Sequence, residues 1–166
     1  MKELRVVGSN TIIKVAGLSN IPAKVDTGAD SSSIWASNIL VNTDGELEFT
    51  LFAPTSPLYT GEKIVTREFR VQKVRNSMGG LDLRYRAQLP IVIRGKRLRA
   101  NFTLADRSKN NFPVLIGRKT LKNRFLVDVS RVGMQRPPKM DNSSLNSELK
   151  TNPQEFHQKY MERSQA

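Results

Sequence analysis

The 166-residue sequence has no cysteine, one histidine and one tryptophan, and aromatic residues make up only 7% of it. Without cysteine there is no disulfide framework, no thiolate nucleophile and no Cys-based zinc site. The lone His157 excludes the paired histidines of a zinc protease. No metal site and no other cofactor is therefore expected. No apolar run approaches the ~20 residues that span a bilayer. The start, Met1-Lys2-Glu3-Leu4-Arg5, lacks the apolar core of a signal peptide. A cytoplasmic protein with no membrane partner is the expectation. An extracytoplasmic protein trimmed of its leader would read the same. At 38% hydrophobic residues, the chain can bury a core of its own.

Charge is unevenly placed. The whole chain carries 27 Lys/Arg against 15 Asp/Glu, a net of +12. Residues 62–124 hold 17 basic and 4 acidic side chains, a net of +13, whereas residues 1–61 come to −2. Such a surface attracts anions and speeds their encounter. Nucleic acid, an acidic peptide and a merely solvated face all fit it, and charge alone does not choose among them.

The hydropathy pattern is that of an all-β protein. Short runs rich in Val, Ile, Leu, Thr and Phe recur between Gly, Asn, Asp and Pro. They fall at Leu4–Val7, Thr11–Val15, Ala23–Val25, Leu47–Phe52, Glu68–Val74, Leu81–Leu89, Ile91–Ile93, Leu98–Leu104, Val114–Ile116 and Phe125–Val129. This spacing suits a small barrel or sandwich. Arg97 to Leu104 alternates polar with apolar residues, which predicts one buried face and one arginine-bearing wet face. One short helix is expected near Lys119–Asn123, and 53–66 reads as an inserted loop. The domain is expected over 1–136. Pro137-Pro138 then opens a polar tail, 137–166, read as disordered or as a short docking helix, with disorder favoured. Within it, Asn152 could cap a helix that has Pro153 at its first position and Glu155 three residues after the cap. Phe156 and Tyr160 would then share one side of that helix.

The chemistry-bearing segment is Ala23-Lys24-Val25-Asp26-Thr27-Gly28-Ala29-Asp30, in which an apolar strand delivers a carboxylate into a tight turn. Alone, it reads as an ordinary strand-ending turn sooner than as a catalytic one. A second segment, Phe112-Pro113-Val114-Leu115-Ile116-Gly117-Arg118, ends another apolar strand at a glycine and passes into the short helix. Taken together and in this order, the two segments resemble the retropepsin-type aspartic proteases, from about Leu4 to Arg131. Thr103-Leu104-Ala105-Asp106-Arg107-Ser108 ahead of the second segment is similar to a bacterial branch often labelled an ATP-dependent zinc protease. That branch is associated with an ATP-grasp ligase that adds glutamates to a ribosomal protein. The zinc label finds no ligands here.

The resemblance implies a retropepsin-like closed barrel with one short C-terminal helix, working as a homodimer. One Asp-Thr-Gly per chain makes Asp26 the catalytic group, and two copies must meet on a two-fold axis to form the dyad. Thr27, Gly28, Ala29 and Asp30 would form the active-site turn and bind substrate. Leu115, Ile116, Gly117 and Arg118 would support it, Gly117 by leaving room for neighbouring backbone. Asp30 and Arg118 are expected to form a partly buried, bidentate ion pair. Arg75 to Leu81, with Met78, Gly79 and Gly80 at the tip, is the expected flap. Ser31, Ser32 and Ser33 are read as turn-stabilising hydroxyls. The expected activity is aspartic endopeptidase cleavage, possible in acidic or glutamate-rich segments because of the +13 region. The rival reading is a non-catalytic retropepsin-like module for dimerisation, RNA or another polyanion. Few aromatics are available to stack on bases, which weighs against nucleic acid as a partner.

Overall fold

In a computed structural model, residues 3–76, 78–133 and 141–162 are described. Residues 1–136 form one compact unit and 137–166 a second. The first contains β1 (Arg5–Val7), β2 (Asn10–Val15), β3 (Leu18–Val25), β4 (Ser32–Val41), β5 (Leu47–Leu51) and β6 (Lys63–Thr66). It continues with β7 (Phe69–Arg75), β8 (Leu81–Ile93), β9 (Lys96–Ala105), β10 (Val114–Ile116), α1 (Arg118–Leu121) and β11 (Phe125–Val127).

Six strands close a barrel in the order β10, β3, β2, β8, β9, β4, and β4 returns to pair with β10. The contacts of β10 with β3 and of β4 with β9 are parallel, and the other ring contacts are antiparallel. Outside the ring, β5 and β6 continue from β4, and β7 pairs with β8 as a hairpin. A separate parallel pair joins β1 to β11.

Alternation along the strands fills the barrel. On β9 the side chains of Ala100, Phe102 and Leu104 point inward, while Arg97, Arg99 and Asn101 stay in water. Phe49, Phe52, Phe102, Ile13, Ile21 and Ile34 are all less than 2% exposed. Burying each such side chain stabilises the fold by roughly 1.5–3 kcal/mol.

The all-β expectation holds, with corrections in detail. The ten-residue β4 is absent from the expected strands, because Ser32, Ser33 and Ser37 hide its apolar alternation. The last four residues of the supposed inserted loop are β6, paired with β5 from Leu47↔Thr66 to Thr50↔Lys63. β8 runs unbroken through Pro90, where a chain break was expected. Its pairing with β7 ends at Ala87 and the β2 ladder begins at Ile91, and between them Pro90 serves only as an acceptor, its carbonyl taking the Ala16 N–H at 2.9 Å.

Of the two alternatives for the tail, disorder or a short helix, the described residues of the second unit take the helical form. It holds two helices, α2 (Ser143–Thr151) and α3 (Pro153–Tyr160). Asn152 caps α3 through its side chain, which accepts the Glu155 N–H, and Pro153 takes the first turn. Lys159 Nζ and the Tyr160 hydroxyl both donate to the Glu148 carboxylate, tying α3 to α2. Neither helix contains a buried residue. Pro137 and Pro138 lie outside the described residues. Among the described residues, no helix is long and apolar enough to cross a membrane.

Candidate active site

The two segments singled out in the sequence meet at the end of the barrel. β10 lies between β3 and β4, with Ile116 level with Val25. Both strands therefore end side by side, and the Asp26 N–H donates to the Ile116 carbonyl at 2.9 Å. The chain then folds back on itself. The Gly28 N–H donates to Asp26 Oδ1 at 2.9 Å, and the Ala29 N–H to the Asp26 carbonyl at 3.3 Å. These bonds hold the Asp26 carboxyl, which is half-buried, at the solvent edge, while Thr27 and Gly28 are exposed.

Gly117 is needed for close approach, not for an unusual backbone angle. A Cβ there would lie 2.6 Å from the Ser31 carbonyl oxygen and 2.9 Å from that of Ala29. With no side chain in the way, the Arg118 N–H reaches the Ala29 carbonyl at 2.7 Å and the Lys119 N–H reaches Asp30 O at 3.1 Å. Behind the turn, Ser32 Oγ accepts the Gly117 N–H at 3.0 Å and bonds Thr120 Oγ1 at 2.7 Å. The Thr103 hydroxyl donates to the Ser32 carbonyl. The serines after Asp30 thus bond the turn to β9, β10 and α1.

Arg118 does pair with Asp30, but the pair is exposed and has a single contact to the carboxylate. The guanidinium is divided: Nη2 donates to Asp30 Oδ1, and Nη1 donates to the Thr27 and Gly28 carbonyls. Its fork therefore clamps both arms of the turn, which replaces the expected buried bidentate pair. The hydrogen bond and charge of Arg118 hold the Asp30 carboxyl below its ordinary pKa.

The β7–β8 hairpin packs beside this turn. Gln72 Nε2 donates to Ser31 Oγ at 2.7 Å. Its tip is built by Asn76, whose Oδ1 accepts the N–H groups of Met78 and Gly80. Gly79 takes φ +83°, which glycine tolerates without strain. Met78 is 95% exposed. Ser77, also in the tip, lies outside the described residues.

Two arginines near the turn had no assigned role in the sequence reading. Arg107 is half-buried and its Nε donates to the Phe112 carbonyl at 3.1 Å. Burial lowers its pKa, the neighbouring positive charge of Arg84 adds to this, and the Asp26 carboxylate opposes it. Arg107 thus stands within electrostatic reach of Asp26, and Arg84, which pairs with Asp82, within reach of Arg107. The only sequence hint was Arg107's place in Ala105-Asp106-Arg107-Ser108, just after an apolar strand.

Residues 6–138 match the family model described as RimB-like, retropepsin-like aspartic endopeptidase RimB. The chain belongs to this family. In the RimB-like chain the barrel and the turn from Asp26 to Asp30 both lie inside the matched span. Among curated relatives, a "Probable alpha-L-glutamate ligase" of Desulfotalea psychrophila is 33% identical over 117 residues, 68% of this chain and 25% of the relative. One of the same name from Parasynechococcus marenigrum is 30% identical over 129 residues, 74% of this chain and 28% of the relative. The chain thus spans about a quarter of the length of the curated relatives it matches. A crystal structure of a Legionella pneumophila protein of unknown function shares the fold, with a TM-score of 0.60 and 23% identity. The match covers 80% of this chain and 98% of that one.

Proposed function

We propose that this chain is a cytoplasmic, homodimeric aspartic endopeptidase that cleaves acidic peptide segments. The observation that carries the reading is the Asp26 turn. A half-buried carboxyl is fixed by the Gly28 N–H and the barrel ends, and stands beside exposed Thr27 and Gly28 where a second copy can meet it. In the dimer, one Asp26 is ionised and takes a proton from water, which attacks the scissile carbonyl carbon. The other, protonated, hydrogen-bonds the carbonyl oxygen. Two carboxylates about 3 Å apart do not both ionise readily, so one shared proton sets these roles.

Apolar groups beside the turn support a two-fold contact. A groove of about 540 Å³ runs from Thr27 and Asp30 to Phe125 and Val127 on β11. Leu126 on that strand is 55% exposed, and Val129 just beyond it 75%. Exposed apolar surface of this kind marks an interaction site, and a two-fold axis there would bring the turns together. The preference for acidic peptides is supported by Arg107, which would receive a substrate carboxylate beside Asp26. The name glutamate ligase carried by the relatives fits an acidic chain as substrate.

Sizing in solution together with a peptide-library digest, on wild type and Asp26→Asn, tests the proposal. Both proteins should run as dimers, and only wild type should cleave, faster on glutamate-rich peptides and more slowly as salt is added. Full activity in a strictly monomeric wild-type protein would overturn the dyad. Equal rates on acidic and neutral peptides would overturn the substrate preference.

A further inference from the structure

Next to the active-site turn, with Ser31 and Ser32 in its wall, lies a second feature that the peptidase reading leaves unused. A pocket of about 110 Å³ is walled by Arg86 of β8, Arg99 of β9, Lys119 of α1 and Arg124. Ser31, Gln72 and Asn101 complete its polar lining. Since one water needs roughly 10–15 Å³ of such space, the pocket takes a compact group of several heavy atoms but no chain running through it.

Its charge is only partly compensated: Lys119 lies within electrostatic reach of Asp30, and Arg124 Nη1 donates to the Lys119, Thr120 and Lys122 carbonyls. None of the four cations pairs with a carboxylate among the described residues. Arg86 also stands directly opposite Arg70 of β7, which lies outside the pocket. Like charges placed opposite each other across a sheet destabilise it, so the fold carries a repulsion that a bound anion would remove. The lining also contains an orphan. Gln72 Oε1 is buried without a hydrogen-bond partner among the described residues, while its Nε2 is used on Ser31. Turning that amide over lets Oε1 accept the Ser31 hydroxyl and frees two N–H donors for an anion.

We infer that this pocket is a binding site for a phosphate-class oxyanion, seated among Arg86, Arg99, Lys119 and Arg124. Guanidinium forks match the oxygens of a phosphoryl group in bidentate geometry. A doubly charged phosphoryl group also offsets more of the cluster than a single carboxylate does. The site reports to the catalytic turn through its own wall: Ser31 touches Gln72, and Ser32, bonded to Thr120 in the same wall, accepts the Gly117 N–H. The inference does not depend on the peptidase reading, because it concerns binding alone.

Calorimetric titration of the full chain with inorganic phosphate, at fixed ionic strength in chloride, is the test. Saturable binding of one phosphate per chain is expected. Arg86→Gln and Arg99→Gln should each weaken it about tenfold or more, the worth of a charge-assisted hydrogen bond. Arg97→Gln, a neighbouring exposed change on β9 outside this pocket, should leave it within about twofold. Arg86→Gln also removes the repulsion with Arg70, so its melting temperature without phosphate should equal or exceed that of wild type. Arg99 is exposed, so its variant does not threaten folding. A parallel titration with O-phosphoserine identifies the source: tighter binding than free phosphate assigns the site to a phosphorylated side chain, weaker binding to the free ion. Phosphate heats no different from chloride, or equal losses in Arg86→Gln and Arg97→Gln, overturn the inference. So does a hexaglutamate peptide that displaces phosphate at lower concentration, which would give the pocket to an acidic chain.

Discussion

The segment from Asp26 to Ser33 has two sides of opposite character. On the front, Thr27, Gly28 and Asp30 are exposed, and the one ion pair, Asp30 with Arg118, joins side chains 68% and 54% exposed. At the back, Ser32, Ser33, Thr103 and Thr120 are all buried and hydrogen-bonded, and Gly117 packs against backbone. Exposed ion pairs are screened and contribute little. Buried polar groups cost heavily when left unpaired. The back therefore fixes the position of Asp26, while the front is left exposed, as the proposed dimer and peptide substrate require.

Four substitutions would break or sharpen this contrast. Under the proposed dyad mechanism, Asp26→Asn, on the front, should lower peptide cleavage by at least about 10³-fold, since such a dyad acts as a unit. Its melting temperature should stay near that of wild type. A variant that still cleaves would place the catalytic carboxylate elsewhere. Next in size is Gly117→Ala, at the back. The new methyl meets two carbonyl oxygens of fixed backbone, and overpacking of this kind costs about 2–3 kcal/mol. Denaturant unfolding should show the loss, and cleavage should fall further than stability alone requires because the turn shifts.

Ser32→Ala comes third. It removes the acceptor of the Gly117 N–H and the partner of Thr120, both buried. Leaving them unpaired costs about 1–3 kcal/mol. Ser31→Ala, one residue away and half-buried, is the matched comparison and should cost clearly less. Equal losses at the two positions would contradict the division into a rigid back and an open front.

The sequence displayed the front far better than the back. Asp26-Thr27-Gly28 and Ile116-Gly117-Arg118 are legible because each combines an apolar strand with a residue type that only a special position demands. The cross-barrel neighbours were not legible. β4 escaped notice because its buried positions carry hydroxyls, which look like loop residues until their partners, 70 to 88 positions away, are known. The four-cation pocket gathers residues from β8, β9 and the α1 region, and in sequence they are merely part of a basic stretch. The tail misled for a related reason. Its asparagines and serines suggested disorder, but Glu148, Lys159 and Tyr160 meet only once two helices fold back on each other.

Asp30→Asn should have the smallest effect, and pH gives it a recognisable form. In the folded chain Arg118 holds the Asp30 carboxyl below its ordinary value of 3.8, so the folded state favours the ionised form. Stabilisation from such a group is fully present above the unfolded value and is lost as pH falls through the lowered, folded one. The stability difference between wild type and Asp30→Asn should therefore be constant from about pH 5 upward and shrink on the acid side. Added salt should shrink it at every pH, because both partners face water. Asp106 and Asp128 are lowered in the same direction by their own serine partners, and comparing wild type with the single variant removes their contribution. A difference that grew toward acid pH would mean that Asp30 is held protonated, and the clamp of Arg118 on Thr27, Gly28 and Asp30 would then have to be redrawn.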